Sequence, residues 1–204
     1  VRSTLSYAAK PDRNRLMNLA ADYLTAGGFT EIMSNSLTKE SYYEGLTSYP
    51  AARCVRILNP LSADLNVMRQ TLLFNTMEAV QLNANRRNGN LRLYEFGNCY
   101  FYDEAARDAE KPLSAYSEQY RLAIAVTGAA VPQSWNAKPQ ASSFFTLRAV
   151  AEKLLRRFGL DIYALKCEPL QSDLFGDGIS LSAGNGRELL QMGVVAPRIR
   201  RAFD

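Results

Sequence analysis

Leu91-Arg92-Leu93-Tyr94-Glu95-Phe96-Gly97-Asn98-Cys99-Tyr100-Phe101 is the stretch on which the fold class turns. Its bulky residues alternate and aromatics crowd it, which predicts a strand with a kink at Gly97. Working outward, a polar stretch (residues 103–118) leads to Arg121-Leu122-Ala123-Ile124-Ala125-Val126-Thr127-Gly128, a mostly buried strand. Residues 178–183 and 188–195 read as strands joined through Gly184-Asn185-Gly186, a hairpin turn. Residues 29–34, 53–58 and 162–167 read as further short strands.

Helices interrupt these runs. The first follows Lys10-Pro11-Asp12, where proline suits a first helical turn, and Leu16, Leu19, Ala20, Tyr23 and Leu24 recur at helical spacing until Gly27-Gly28. The second covers residues 72–87 and is closed by Asn88-Gly89. At roughly 100° per residue, Leu73, Met77, Val80 and Ala84 fall within about 60° of one another, Leu72 and Ala79 widen that arc, and Leu82 lies on the far side. Such a helix either lies on a sheet or is held between its own sheet and a partner chain. The third presents Leu147, Val150, Ala151, Leu154, Leu155 and Phe158 as one stripe, with Ser142 or Ser143 as its cap and Gly159 as its end. Lys153, Arg156 and Arg157 stand on its other face, as a solvated surface or a phosphate-contacting ridge. Pro197-Arg198-Ile199-Arg200-Arg201 opens a last short, basic helix. Helices separated by hairpin-joined strands, without βαβ alternation, imply an α+β fold with a mainly antiparallel sheet flanked by helices.

Composition excludes more than it assigns. The 204 residues, 47% apolar with 24 Lys+Arg against 20 Asp+Glu, describe one large domain or two small ones. The absence of histidine removes imidazole triads, proton shuttles and His-bearing zinc sites. Cys54, Cys99 and Cys167 are too widely spaced for a C-x-x-C pair and read as reduced, mostly buried thiols. Asp103, Glu104, Asp108 and Glu110 alternate with basic residues as a solvated turn does, and Gly184-Asn185-Gly186-Arg187 lacks the lysine and following helix of a phosphate loop. Trp135 reads as the anchor of a long connection reaching Ser142, and Arg69 as a partner for a buried carboxylate or for another chain. No apolar run approaches a membrane span, and Val1-Arg2-Ser3-Thr4 is no signal peptide. A cytoplasmic protein, cut from a longer polypeptide because no initiator Met is present, is the expectation.

The segment Asn59-Pro60-Leu61-Ser62-Ala63-Asp64-Leu65-Asn66-Val67-Met68-Arg69-Gln70-Thr71-Leu72-Leu73 closely resembles the N-P-L-S-x-[DE]-x-x-x-M-R-x-[ST]-L-L run of the beta-subunit family of bacterial phenylalanine–tRNA ligases. The resemblance starts earlier, at Gly28-Phe29-Thr30-Glu31 and Asn35-Ser36. It continues through Asn83, Asn85 and Arg86 into Leu93-Tyr94-Glu95-Phe96-Gly97, then Phe144-Phe145-Thr146-Leu147-Arg148, and ends with Gly193-Val194-Val195-Ala196-Pro197.

That resemblance implies a class II synthetase-like core domain over residues 1–204, a degenerate copy of the catalytic fold. In the family the active site belongs to the alpha subunit. A working site of this class grips phosphates with an arginine in an F-R-x-E strand and a second after a glycine-rich strand. Here the first position falls in Tyr100-Phe101-Tyr102-Asp103, and Gly193 leads into Val194-Val195-Ala196-Pro197 without clustered glycines or the arginine. The resemblance therefore implies no catalytic, cofactor-binding or metal residue in this chain, with ATP and magnesium confined to the full assembly. It implies an alpha-subunit partner in an (αβ)2 assembly, with Arg69, Leu72, Leu73, Met77, Val80 and Leu82 as the interface, and tRNA(Phe) reached through that assembly. The alternatives are a free-standing class II-like ligase, or a weak RNA-binding module placing Lys153, Arg156, Arg157, Arg198, Arg200 and Arg201 on phosphates.

Overall fold

A computed structural model describes residues 12–204. The expected helix entry at Lys10-Pro11 lies outside these residues. In chain order the elements are α1 (Arg13–Ala26), β1 (Thr30–Glu31), β2 (Leu37–Thr38), β3 (Val55–Arg56), β4 (Val67–Met68), α2 (Leu73–Asn85), β5 (Arg92–Tyr102), β6 (Tyr116–Val126), β7 (Ala129–Val131), β8 (Gln140–Ala141), α3 (Phe144–Arg157), β9 (Lys166–Pro169), β10 (Phe175–Ser182), β11 (Glu188–Val195) and α4 (Pro197–Ala202). The strands form sheets ordered β1-β5-β6, β11-β10-β9, β2-β4-β3 and β7-β8. Every pairing is antiparallel except β1 with β5, which is parallel. The α+β architecture expected from the sequence is the one observed.

β5 is buried on both sides. The side chains of Leu93, Glu95, Cys99 and Phe101 point to one face and are buried, while Tyr94 and Phe96 point to the other. On the Tyr94 face, Leu24 and Phe29 close a core to which Val150 of α3 also contributes. Asp12 caps α1 by accepting from the Asn14 N–H at 2.9 Å, and Gly28, at φ 79°, turns the chain into β1. α3 is capped as expected, by Ser143 in a capping box with Thr146, and it spans two cores. Its Ala151 lies against Leu181 and Met192 of the β9–β11 sheet. A further core gathers Tyr43, Cys54, Val67, Phe74, Leu174, Ile199 and Phe203, with the Tyr42 and Phe74 rings stacked 5.0 Å apart.

Several boundaries depart from the sequence reading. β6 begins at Tyr116, five residues before Arg121, because residues 116–120 carry no apolar alternation yet pair with Asn98 to Tyr102 of β5. The strand expected over residues 162–167 opens instead as a 3-10 turn at Ile162–Ala164, since the Asp161 carboxylate accepts from the Tyr163 N–H at 3.0 Å. The connection around Trp135 contains the β7-β8 hairpin, and Trp135 stands 97% exposed, anchoring nothing. Cys54 and Cys99 are buried as expected, whereas Cys167 is exposed.

Gly97 produces no kink. The β5-β6 register runs without interruption from Arg92 to Tyr102. The glycine instead makes room for Arg69, because a Cβ there would collide with the guanidinium and lie 2.9 Å from Leu72 Cδ2. Arg69 Nη1 donates to Glu95 Oε1 at 2.8 Å, with side chains only 4% and 1% exposed, and Nε donates to the Asn98 carbonyl at 3.0 Å. The backbone N–H and hydroxyl of Ser34 donate to the two carboxylate oxygens of Glu95 at 3.1 and 2.9 Å. A charge pair this deep survives only when both partners and their spare donors and acceptors are matched. Glu95→Gln, which leaves the guanidinium uncompensated, is expected to lower stability by about 3 kcal/mol in urea unfolding with an unchanged m value. Gly97→Ala is expected to cost at least about 1 kcal/mol by overpacking the same spot.

Asp173 fastens the chain before β10 to the loop at Thr47. Burial works against its charge, but hydrogen bonds from Ser48 and Thr47 prevail and hold its carboxyl below the ordinary aspartate value. Because the folded value lies below the unfolded one, this contribution is complete above about pH 4 and is lost as acid takes the pH through the folded value. Asp173→Asn is expected to remove this part of the acid dependence, read as a flatter stability curve below about pH 4.

Candidate functional site

The segment from Asn59 to Leu73 delivers α2 to the edge of the fold. Asn59-Pro60 ends an extended run, residues 63–65 make one 3-10 turn, and β4 is held between β2 and β3. The Arg69 N–H then donates to Ser36 O at 2.9 Å and Tyr100 N–H donates to Arg69 O at 2.8 Å, which ties this strand to β5. Gln70 is sealed beneath, donating to the Pro50 carbonyl and to Cys54 Sγ, both at 3.0 Å. α2 starts from this fixed platform, with Thr71 Oγ1 accepting from the Leu73 N–H at 3.3 Å.

Burial along α2 is uneven. Phe74, Asn75 and Thr76 in its first turns are buried, whereas the rest of the helix is half-buried or exposed. Two members of the interface set belong to the interior. Leu72 packs with Cys99 and Phe101, and Arg69 is spent on Glu95, so neither offers surface to another chain. Arg69 thus follows the buried-carboxylate reading. Leu73 and Met77 lie partly buried against the Phe74 core, Val80 is half-buried, and Leu82 is 52% exposed. Leu82 leaves the helix on a side that this chain does not cover.

The strand end where the resemblance puts a phosphate-gripping arginine carries aromatics. Phe101 is buried there, while Tyr102 and Tyr116 pack with ring centroids 5.3 Å apart. Two guanidiniums reach Phe101 from other elements: Arg53 lies 5.6 Å and Arg121 5.3 Å from its ring centroid. Neither was singled out in the sequence. The β5-β6 register would have shown Arg121, which stands opposite Gly97 on the face that carries Cys99 and Phe101.

The basic residues of the RNA-binding reading divide between two helices and different local tasks. On α3, Arg156 lies over the Tyr163 ring and Arg157 over Tyr23, at 5.7 and 5.6 Å, while Lys153 is exposed. On α4, Arg198 donates to the Glu44 carbonyl at 3.0 Å, and Arg200 and Arg201 are exposed. The acidic turn is used locally: Asp103 accepts from the Ala105 N–H and Asp108 from the Glu110 N–H. Among the described residues no cluster of acidic or cysteine ligands gathers as a metal site would, and no helix is long and apolar enough to cross a membrane.

The chain is 44% identical over its whole length to the phenylalanine–tRNA ligase beta subunit of Bacteroides thetaiotaomicron and 37% identical to that of Porphyromonas gingivalis. It spans 25% of the length of each of those proteins. Among solved structures, pyrrolysyl-tRNA synthetase from Desulfitobacterium hafniense superposes on 95% of the chain with a TM-score of 0.66 at 16% identity, using 63% of that chain. A second structure from that organism, PylSc, gives a TM-score of 0.63 over 95% of this chain and 62% of its own. These two matches show that the fold is that of a class II tRNA synthetase. The family model described as the phenylalanyl tRNA synthetase beta chain CLM domain matches residues 2–204, and the chain belongs to that family.

Proposed function

We propose that this domain is a non-catalytic scaffold which packs against the catalytic alpha subunit of phenylalanine–tRNA ligase in an (αβ)2 assembly and supports aminoacylation of tRNA(Phe) in the cytoplasm. One observation carries the reading: beyond its buried first turns, α2 presents Met77, Val80 and Leu82 only partly covered by its own chain. Amphipathic helices hide apolar side chains, and a helix apolar on two sides is stabilised by a second surface. At roughly 100° per residue Met77 and Val80 share one side of the helix and Leu82 lies on the opposite one, so the partly covered apolar residues occupy two sides rather than one narrow seam.

The same reading accounts for the strand end at Phe101. The strand position that would carry the phosphate-gripping arginine is a buried phenyl ring, which supplies no hydrogen bond, and the Arg53 and Arg121 guanidiniums near it come from other elements and frame a cavity of about 190 Å³, too small for a nucleotide. ATP and magnesium chemistry is accordingly assigned to the partner subunit, and contact with tRNA to the assembly as a whole.

Two measurements test the proposal. Leu82→Asp is expected to weaken association with the alpha subunit at least about tenfold while shifting stability by less than about 0.5 kcal/mol, because the position is already half exposed in this chain. Undiminished co-purification of that variant with alpha would sink the interface. ATP–pyrophosphate exchange by the chain alone is expected at background, and exchange above it would favour a free-standing ligase instead.

A further inference from the structure

We propose that this chain holds a phosphate-binding pocket, separate from the α2 face, in which Arg53 and Arg121 grip one phosphate group. The inference goes beyond the scaffold role and does not depend on it. A cavity of about 190 Å³ opens between the loop at Ser48, the ends of β5 and β6, and the chain at Gln171 and Ser172.

Arg121 is fixed there before any ligand arrives. Its Nη1 donates to the Tyr49 hydroxyl at 2.8 Å, while Nε and Nη2 both donate to Gln119 Oε1, at 3.2 and 2.7 Å. All these acceptors are neutral, so the guanidinium keeps its full charge and two of its five N–H donors. Arg53 lies 5.6 Å from the centroid of the same Phe101 ring and is exposed to solvent. Among the described residues no carboxylate pairs with either arginine. No acid among the described residues stands in the cavity's lining, and Asp173, next in sequence to Ser172, is held by hydrogen bonds from Thr47 and Ser48.

Two like charges are therefore brought to one wall with no carboxylate paired to either, in a recess whose remaining lining includes the Ser48 and Ser172 hydroxyls and the Gln171 amide. That arrangement is relieved by an anion, and hydroxyl and amide donors beside two guanidinium forks suit the several acceptor oxygens of a phosphate. The volume is below the roughly 300 Å³ at which drug-sized pockets begin, so it takes a single phosphate group rather than a whole nucleotide. A small free phosphate and a phosphate of an RNA strand present the same group.

Titration of inorganic phosphate into the natural, full-length protein at constant ionic strength, followed by calorimetry, tests this. Saturable binding is expected, weakened at least tenfold by Arg53→Gln, an exposed position that spares the fold, and by Arg121→Gln where its melting temperature is retained. Arg200→Gln on α4 is expected to leave the affinity unchanged. Absence of saturable binding, equal affinity in Arg53→Gln, or an equal loss in Arg200→Gln would overturn the pocket. Competition by a short single-stranded RNA then assigns the group to a nucleic-acid backbone, and phosphate binding unaffected by RNA assigns it to a small free phosphate.

Discussion

The buried pair of Arg69 and Glu95 is the constraint around which the rest is arranged. Glu95 is the charged residue on a face of β5 that is otherwise apolar, and it is tolerable there only because Arg69 and Ser34 complete its hydrogen bonding. The guanidinium needs space over the strand, so position 97 is glycine. It also needs a backbone held in place, so residue 69 is bonded to Ser36 on one side and Tyr100 on the other. Three stretches distant in sequence, around residues 35, 69 and 97, are brought to one point by this network. Replacing it with apolar groups of matching shape is often neutral in stability, so what the pair supplies here is register: a slip of one residue would turn Glu95 toward the Tyr94 face and away from Arg69.

From that fixed point α2 departs with its beginning rigid and its remainder exposed. The contrast gives the domain a firm interior and an unfinished surface. Phe74 is locked among Tyr42, Tyr43 and Phe203, which sets the helix direction, while residues further along meet few neighbours of their own chain. A partner meeting such a helix finds it already oriented, and little ordering entropy remains to be lost on association.

Much of this was legible in the sequence, and the failures have physical causes. β5 showed itself through alternation, the β10-β11 pair through its Gly184-Asn185-Gly186 turn, and α3 through its stripe and its serine cap, because in each the local pattern and the tertiary structure agree. The start of β6 was hidden because residues 116–120 are exposed and carry no apolar alternation, although they pair with β5. Leu72 was read as outward because helical phase says which residues share a side but not which side the body of the protein occupies, and the two readings of Arg69 stayed open because its meeting with Glu95 joins distant stretches of chain. Gly97 was read as a bend for a related reason: from sequence, a glycine that yields space to a distant side chain looks the same as one that bends its own strand. The aromatic core around Phe74 was missed because its members lie far apart in the chain and follow no local period. The two arginines over Phe101 escaped notice because their meeting depends on strand register.

α4 has a consequence for how the molecule is made. Ile199 and Phe203 close the core begun by Tyr43, Val67 and Phe74, more than a hundred residues upstream. During synthesis those earlier side chains stay uncovered until α4 has been made and has left the ribosome. Through that interval the nascent polypeptide displays greasy aromatic surface to every passing chaperone, and α4 is the latch that ends the exposure.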